Sequence, residues 1–225
     1  MKTQIPGQAL AALFLGWASL AQATSDKAPS FTKIANNGTE LTTSAVLGQH
    51  PTDWGCTRDN NTGLLWEMKS EDKADLHFSM HTFTWYNPDH TPKGNDPGSP
   101  GRDTCEGTLS AYDNLCNTAT FIAANNAANL CGQKDWRLPT KTELRTIVDA
   151  NFANPSIDGA FFPNTIGFWY WTSNPSETGL TLATVVSFLN GESYNSIKTI
   201  NNMLRLVRGV IKSDYQPKPE TPRGN

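Results

Sequence analysis

An α+β domain with a mostly antiparallel sheet is what this sequence predicts, on three observations. Two helical segments occupy the middle of the chain, one Ala-rich from Asn117 to Leu130 and one opened by Thr140-Lys141-Thr142-Glu143. From Phe168 onward the pattern changes to runs rich in aromatic and β-branched residues. Between two of those runs stands Asn190-Gly191, a type I′ hairpin signal.

The elements follow in chain order. Residues 1–23 carry Lys2, an apolar run from Ala9 to Leu20 and then Ala21-Gln22-Ala23, which reads as a cleavable signal peptide. The run is shorter than the roughly 20 apolar residues needed to span a bilayer, so no membrane insertion is expected once it is removed. No cysteine follows the cleavage point, so lipid attachment there lacks its nucleophile. The expected location is periplasmic or secreted. Residues 24–50 are rich in Thr, Asn, Gly and Ser with Phe31, Ile34 and Leu41 as sparse apolar points, giving a short strand and a surface-hugging N-terminal arm. Residues 51–212 form the folded body. Residues 213–225, with Pro217, Pro219 and Pro222 and no apolar anchor, read as a disordered tail.

Within the body, Phe121 or Ile122, Ala124 or Ala128, and Leu130 are the buried candidates of the first helix, with Gly132 just past its end. The second helix has a capping box, Thr140 with Glu143, preceded by Pro139, and Leu144, Ile147 and Val148 fall on one face. The expected strands are Phe168–Thr172, Leu182–Leu189, Glu192–Ile200 and Met203–Ile211. Between Glu71 and Arg102 the chain is a long turn-dominated excursion, a kind of loop that is often functional.

All four cysteines lie beyond the signal segment, and an even count in an oxidising compartment implies two disulfides. Three pairings exist on paper. Cys105 with Cys116 and Cys56 with Cys131 are preferred, because the first brackets one Gly-rich irregular segment and the second joins the two ends of the first half of the body. A zinc site competes with this, but the chain has no C-x-x-C spacing.

The chain has 225 residues with 18 Lys+Arg against 21 Asp+Glu, a formal net charge of −3, which provides no global basic field for nucleic acid or an anionic membrane. Aromatic residues make up 10%, enough to furnish a core and inconsistent with low-complexity disorder.

Several motifs stand together: Asp59-Asn60-Asn61-Thr62-Gly63-Leu64-Leu65-Trp66-Glu67, Asp135-Trp136-Arg137-Leu138-Pro139-Thr140 with Glu143-Leu144, Phe161-Phe162-Pro163-Asn164-Thr165, Tyr170-Trp171-Thr172-Ser173, Phe188 with Gly191, and Arg205-Leu206-Val207-Arg208. In this order and spacing the chain resembles the Lcl C-terminal domain family, a bacterial domain of unknown function named after the C-terminal module of a collagen-like adhesin. The resemblance implies a C-type-lectin-like fold, with two helices against a small, twisted, loop-rich sheet and chain ends close together. It also implies a distant fold kinship with formylglycine-generating enzymes, which fixes no function. This chain departs from the adhesin in lacking a Gly-X-Y stalk and in being acidic, which argues against sulfated polysaccharides.

The resulting expectation is an exported, non-catalytic recognition or adhesion domain for a glycan, an envelope polymer or a surface protein, with no cofactor. The binding face is expected on the loops Thr82–Arg102 and Phe161–Pro175. Trp85, Tyr86 and Trp169 border those loops as stacking platforms, Asn164 offers an amide, and Arg205 and Arg208 a local basic patch. Trp66, Trp136, Trp169 and Trp171 read first as core, Trp169 thus standing in both readings, and Arg137 as a structural ion pair with Glu143 or Asp135.

Two alternatives remain. His77, His81 and His90, with Asp89 and Asp96, would suit a metal-dependent enzyme if Leu76–Met80 were helical. Self-association through the sheet would suit an envelope structural protein. The Glu-Pro-Asn, Gln-Pro-Asp and Trp-Asn-Asp calcium signatures of C-type lectins are absent. No reactive cysteine lies near the C-terminal end, and no Gly-x-Ser-x-Gly elbow occurs, so no catalytic residue is assigned.

Overall fold

A computed structural model describes residues 30–88 and 96–217, together with Met1. Residues 2–29, which include most of the expected signal peptide, residues 89–95, with Asp89 and His90, and the part of the expected tail beyond residue 217 lie outside the described residues. The architecture is α+β, with two small antiparallel sheets rather than one. The first has the order β1-β2-β3-β7: β1 (Phe31–Ala35), β2 (Trp54–Asp59), β3 (Leu65–Glu67) and β7 (Val207–Arg208). The second comprises β4 (Trp169–Pro175), β5 (Leu182–Ser187) and β6 (Ser193–Ile197) in that order. Between the two halves lie α1 (Thr118–Ala128) and α2 (Lys141–Thr146).

Alternate side chains of these strands enter two different apolar clusters. Leu65, Trp171, Val185 and Leu206 pack with Phe83, Trp85, Phe121 and Trp136. Their chain neighbours Trp66, Tyr170, Val186 and Val207 pack with Leu144, Ile147, Phe162 and Phe188. Both parities of a strand are therefore apolar where it crosses the middle, which is why the sequence runs Tyr170-Trp171 and Val185-Val186 without polar interruption.

The helix starts follow their capping chemistry. Thr140 accepts from the Glu143 amide, and Glu143 Oε2 accepts from the Thr140 amide at 2.8 Å. Asn117 caps α1 in the same reciprocal way with Thr120. The stop of α1 differs from expectation. Asn129, not Gly132, takes the left-handed conformation at the helix end, with φ of 54°, because an Asn tolerates that region. Asn125 is buried instead of Ala124 or Ala128, and Asn126 clamps the backbone of Trp136 through both its oxygen and its nitrogen.

Of the expected arm, residues 30–50 are described, and they attach to the body at the expected apolar points. Phe31 and Ile34 lie on β1, paired residue by residue with β2, and Phe31 rests edge-on against Phe162 with ring centroids 5.1 Å apart. The hairpin between β5 and β6 forms at Asn190-Gly191, but the turn is not type I′. Its loop spans Phe188 to Gly191, closed by the Gly191 amide donating to the Ser187 carbonyl at 2.7 Å and the Ser187 amide to the Glu192 carbonyl at 2.8 Å. Only Gly191 has positive φ, 75°, and Asn190 does not, so the longer loop replaces the two-residue turn. The expected strand Met203–Ile211 is broken up because it changes partners: Asn202 pairs with Phe83, Met203 with β4, and Val207 with both Arg137 and β3. This segment ties the two sheets together.

The disulfides are Cys56–Cys131 and Cys105–Cys116, closing sequence separations of 75 and 11. On the loop-entropy model they contribute about 4 and about 3 kcal/mol. Replacing Cys56 and Cys131 together by Ser should therefore lower the stability measured in urea by more than replacing Cys105 and Cys116. The reverse ranking would show that native-state packing, not chain entropy, sets their worth.

Candidate functional site

Two arrangements of side chains stand out, one exposed and one buried. The exposed one is a strip of aromatic rings at the end of the second sheet. Trp169, the first residue of β4, is 41% exposed, Phe168 beside it 45%, and Tyr194 on β6 43%. Ring centroids are 5.7 Å apart from Phe168 to Trp169 and 6.1 Å from Trp169 to Tyr194. Tyr194 is oriented by the hairpin loop, since Asn190 Nδ2 donates to its hydroxyl at 2.8 Å. Such a strip has apolar faces for stacking and a hydroxyl and amide for hydrogen bonds at its rim. Charge is absent from the rings, and the hairpin contributes a single charged residue, Glu192.

The expected site residues divide. Trp169 is on the strip. Tyr86 is half-buried, its backbone held by Thr118 Oγ1 through bonds of 2.9 and 2.8 Å. Asn164 is half-buried with its Nδ2 donating to the Lys69 carbonyl. Arg208 is bound to Asp135, Nε to Oδ1 at 2.6 Å. Two residues do not belong to any binding face. Trp85 is only 2% exposed, packed in the first apolar cluster with Nε1 donating to the Thr172 carbonyl at 2.9 Å. Arg205 is fully buried, so it supplies no basic patch. Phe168, Tyr194 and Asn190 are not among the site residues expected from the sequence, although Phe168 lies within the expected Phe161–Pro175 loop and the hairpin signal places Asn190 and Tyr194 across one turn.

The buried arrangement gathers around Glu67 at the end of β3. Its Oε1 accepts from Lys69 Nζ at 2.6 Å and from His77 Nδ1 at 2.8 Å, and its Oε2 from the Leu206 amide at 2.8 Å. Arg205 donates to the Glu67 carbonyl at 2.5 Å and to Thr165 Oγ1 at 2.7 Å, beneath the ring of Phe162. Burial alone would raise the Glu67 pKa, but Lys69 and His77 outweigh it and hold it at about 2. Burial pushes Lys69 below its ordinary value against the pull of Glu67. The group ties the segment 67–77 to the 205–206 crossover. It borders an open cleft of about 480 Å³ lined by Trp54, Lys69, Asp72, Asp75 and His77 among others.

The histidine alternative loses its geometry here. Residues 76–80 form turns rather than a helix, His77 is tied to Glu67, and His81 Nε2 faces the Asp75 carbonyl at 3.1 Å. His90 and Asp89 lie outside the described residues. Asp103 approaches the sulfurs of Cys105 and Cys116, but these are bonded to one another and offer no thiolate. Arg137 is in a structural pair, with its NH1 and NH2 on the two oxygens of Glu143 at 2.8 and 2.6 Å and a further bond to the Gly209 carbonyl. Among the described residues no helix is long and apolar enough to cross a membrane.

Fold and site together define a disulfide-stapled α+β domain with an exposed aromatic strip. The chain belongs to the Lcl C-terminal domain family, whose model matches residues 55–208, from the second residue of β2 to the end of β7. Comparison with curated proteins and with solved structures gives no match.

Proposed function

We propose that this protein is an exported, non-catalytic recognition domain, C-type-lectin-like in fold, that binds a glycan or envelope polymer at the cell surface through its aromatic strip. The observation that carries the reading is the run of three contacting rings, Phe168, Trp169 and Tyr194, left open to solvent on a protein that buries Trp54, Trp66, Trp85, Trp136 and Trp171. Contiguous exposed apolar surface marks interaction sites. The two disulfides and the signal-like first 23 residues support export.

A binding screen of the oxidised protein against glycans and envelope polymers, with calcium and then with chelator, tests this. Binding is expected to survive the chelator. Trp169→Ala and Tyr194→Ala should each weaken it by about thirtyfold or more, the factor that corresponds to a hot-spot loss of about 2 kcal/mol. Both are surface positions, so stability should stay within about 0.5 kcal/mol of wild type. Binding that ignores both substitutions would move the site elsewhere, and binding only to a protein partner would reassign the ligand class.

A further inference from the structure

The outer edge of β6 is unguarded. β6 pairs with β5 in unbroken register from Leu182↔Ile197 to Val186↔Ser193, and no described strand pairs with its other side. The Ser187 amide bonds to Glu192 and the Lys198 amide to Thr181, so even-numbered positions of β6 face β5. The amides of Ser193, Asn195 and Ile197 therefore point outward, and no described residue accepts from them. Natural sheets protect such edges with Lys, Pro or a bulge. The other edges here are protected: residues 39–41 bond to the outer side of β1, which also has a bulge at Ile34/Ala35, β7 has two residues, and Met203 covers β4. β6 reads Ser-Tyr-Asn-Ser-Ile, with no charge and no proline. Beside it Leu180, Ile197 and Ile200 are exposed.

We propose that β6 pairs antiparallel with β6 of a second copy of this chain about a two-fold axis at Asn195, joining two three-stranded sheets into one of six. In that register Asn195 faces its own copy, and Ser193 faces Ile197 of the partner subunit, so outward amides meet outward carbonyls on both sides. Charge selects the orientation. Glu192 and Lys198 flank the strand symmetrically about Asn195, so antiparallel pairing sets Glu192 opposite Lys198 of the partner subunit, whereas parallel pairing sets Glu192 against its like. The Lys198 ammonium stays anchored on the Asp96 and Leu180 carbonyls, and the gain is the avoided repulsion. The axis is perpendicular to the sheet, so both copies present Tyr194 and Trp169 on the same side. Where those strips bind polymer, the dimer binds it bivalently.

Sedimentation equilibrium of the full oxidised chain across about 1 to 500 µM tests the pairing, a range suited to a small interface of micromolar affinity. The expected result is reversible doubling of mass. Asn195→Pro removes the central outward amide and leaves the β5 bonds intact, and should weaken dimerisation at least about tenfold at unchanged circular dichroism. If that variant fails to fold, Ile197→Lys, on the exposed edge, serves instead. A wild type that stays monomeric throughout, or a folded edge variant that dimerises as wild type does, overturns the proposal. Trp169→Ala should remain dimeric, so loss of ligand binding and loss of pairing are read separately.

Discussion

Glu67→Ala should destabilise the protein by about 3–5 kcal/mol, the cost of removing one member of a buried ion pair. Glu67 is fully buried, and its carboxylate receives three hydrogen bonds, from Lys69, His77 and the Leu206 amide. Removing it leaves the Lys69 ammonium 96% buried, since its side chain is 4% exposed, without its carboxylate, and leaves the Leu206 amide without an acceptor. Glu67→Gln keeps the shape and one acceptor oxygen, which can still serve Lys69 and His77, but loses the charge and turns an amide nitrogen toward the Leu206 N–H, and should cost less than truncation. Replacing Lys69 by Met together with Glu67→Gln removes the stranded cation and should recover part of the loss, giving a coupling energy of about 1 kcal/mol or more in a double-mutant cycle. Urea unfolding of wild type, Glu67→Gln, Lys69→Met and the double variant measures this, with Glu67→Ala beside them. A Glu67→Ala protein within about 1 kcal/mol of wild type would mean that water replaces the carboxylate and that the cluster does not hold the crossover.

The same carboxylate predicts an acid limb. With the folded pKa at about 2 against an ordinary 4.5, the unfolded chain binds more protons than the folded one between those values. The stabilisation is complete above the unfolded value and is lost as pH falls through the folded one, so melting temperature should drop steeply from pH 4.5 to 2. In Glu67→Gln that drop should be shallower, because one contributing group is gone.

What could be read in the sequence is what local chemistry determines. Thr140 and Glu143 are three residues apart, and their reciprocal bonds need nothing else in the protein; the same holds for the bidentate Arg137–Glu143 pair across six residues. The cluster around Glu67 is different. Glu, Lys and Arg ordinarily read as surface residues, and these are buried only because partners as far apart as Glu67 and Arg205, separated by 138 positions, meet inside. The aromatic residues divide for a related reason. Phe83-Thr84-Trp85 has its two rings two positions apart, so both face the core from one side of an extended chain, a signal that loop adjacency obscured. Trp169 and Trp171 have the same spacing, yet only Trp171 is covered, because Trp169 lies at the end of its strand, beyond the packed centre of the sheet. Edge position is a property of the assembled sheet, and the same is true of the open side of β6.

Trp85→Ala should cost about 3–5 kcal/mol of stability, and any loss of ligand binding should follow from unfolding rather than from a missing contact. The side chain fills the first apolar cluster beside Phe83, Trp136 and Trp171, its Nε1 reaches the Thr172 carbonyl of β4, and the Lys198 ammonium lies 4.5 Å from its ring centroid. Truncation opens a cavity, removes the donor to β4 and takes the aromatic face from a cation. The backbone is equally committed: a Cβ at Gly98, where φ is 94°, would lie 2.0 Å from the Trp85 carbonyl oxygen, so the returning chain packs directly on this residue. Trp85→Phe keeps most of the ring and loses the hydrogen bond, and should cost about 1–3 kcal/mol. Paired with Trp169→Ala, these variants separate two tryptophans that both border loops. Trp85→Ala should shift the urea midpoint, with binding retained by the fraction still folded, while Trp169→Ala should leave the midpoint in place and weaken binding by about thirtyfold or more. If Trp85→Ala melts as wild type does and no longer binds, then Trp85 is open to ligand in solution and the site extends onto the Thr82–Arg102 loop.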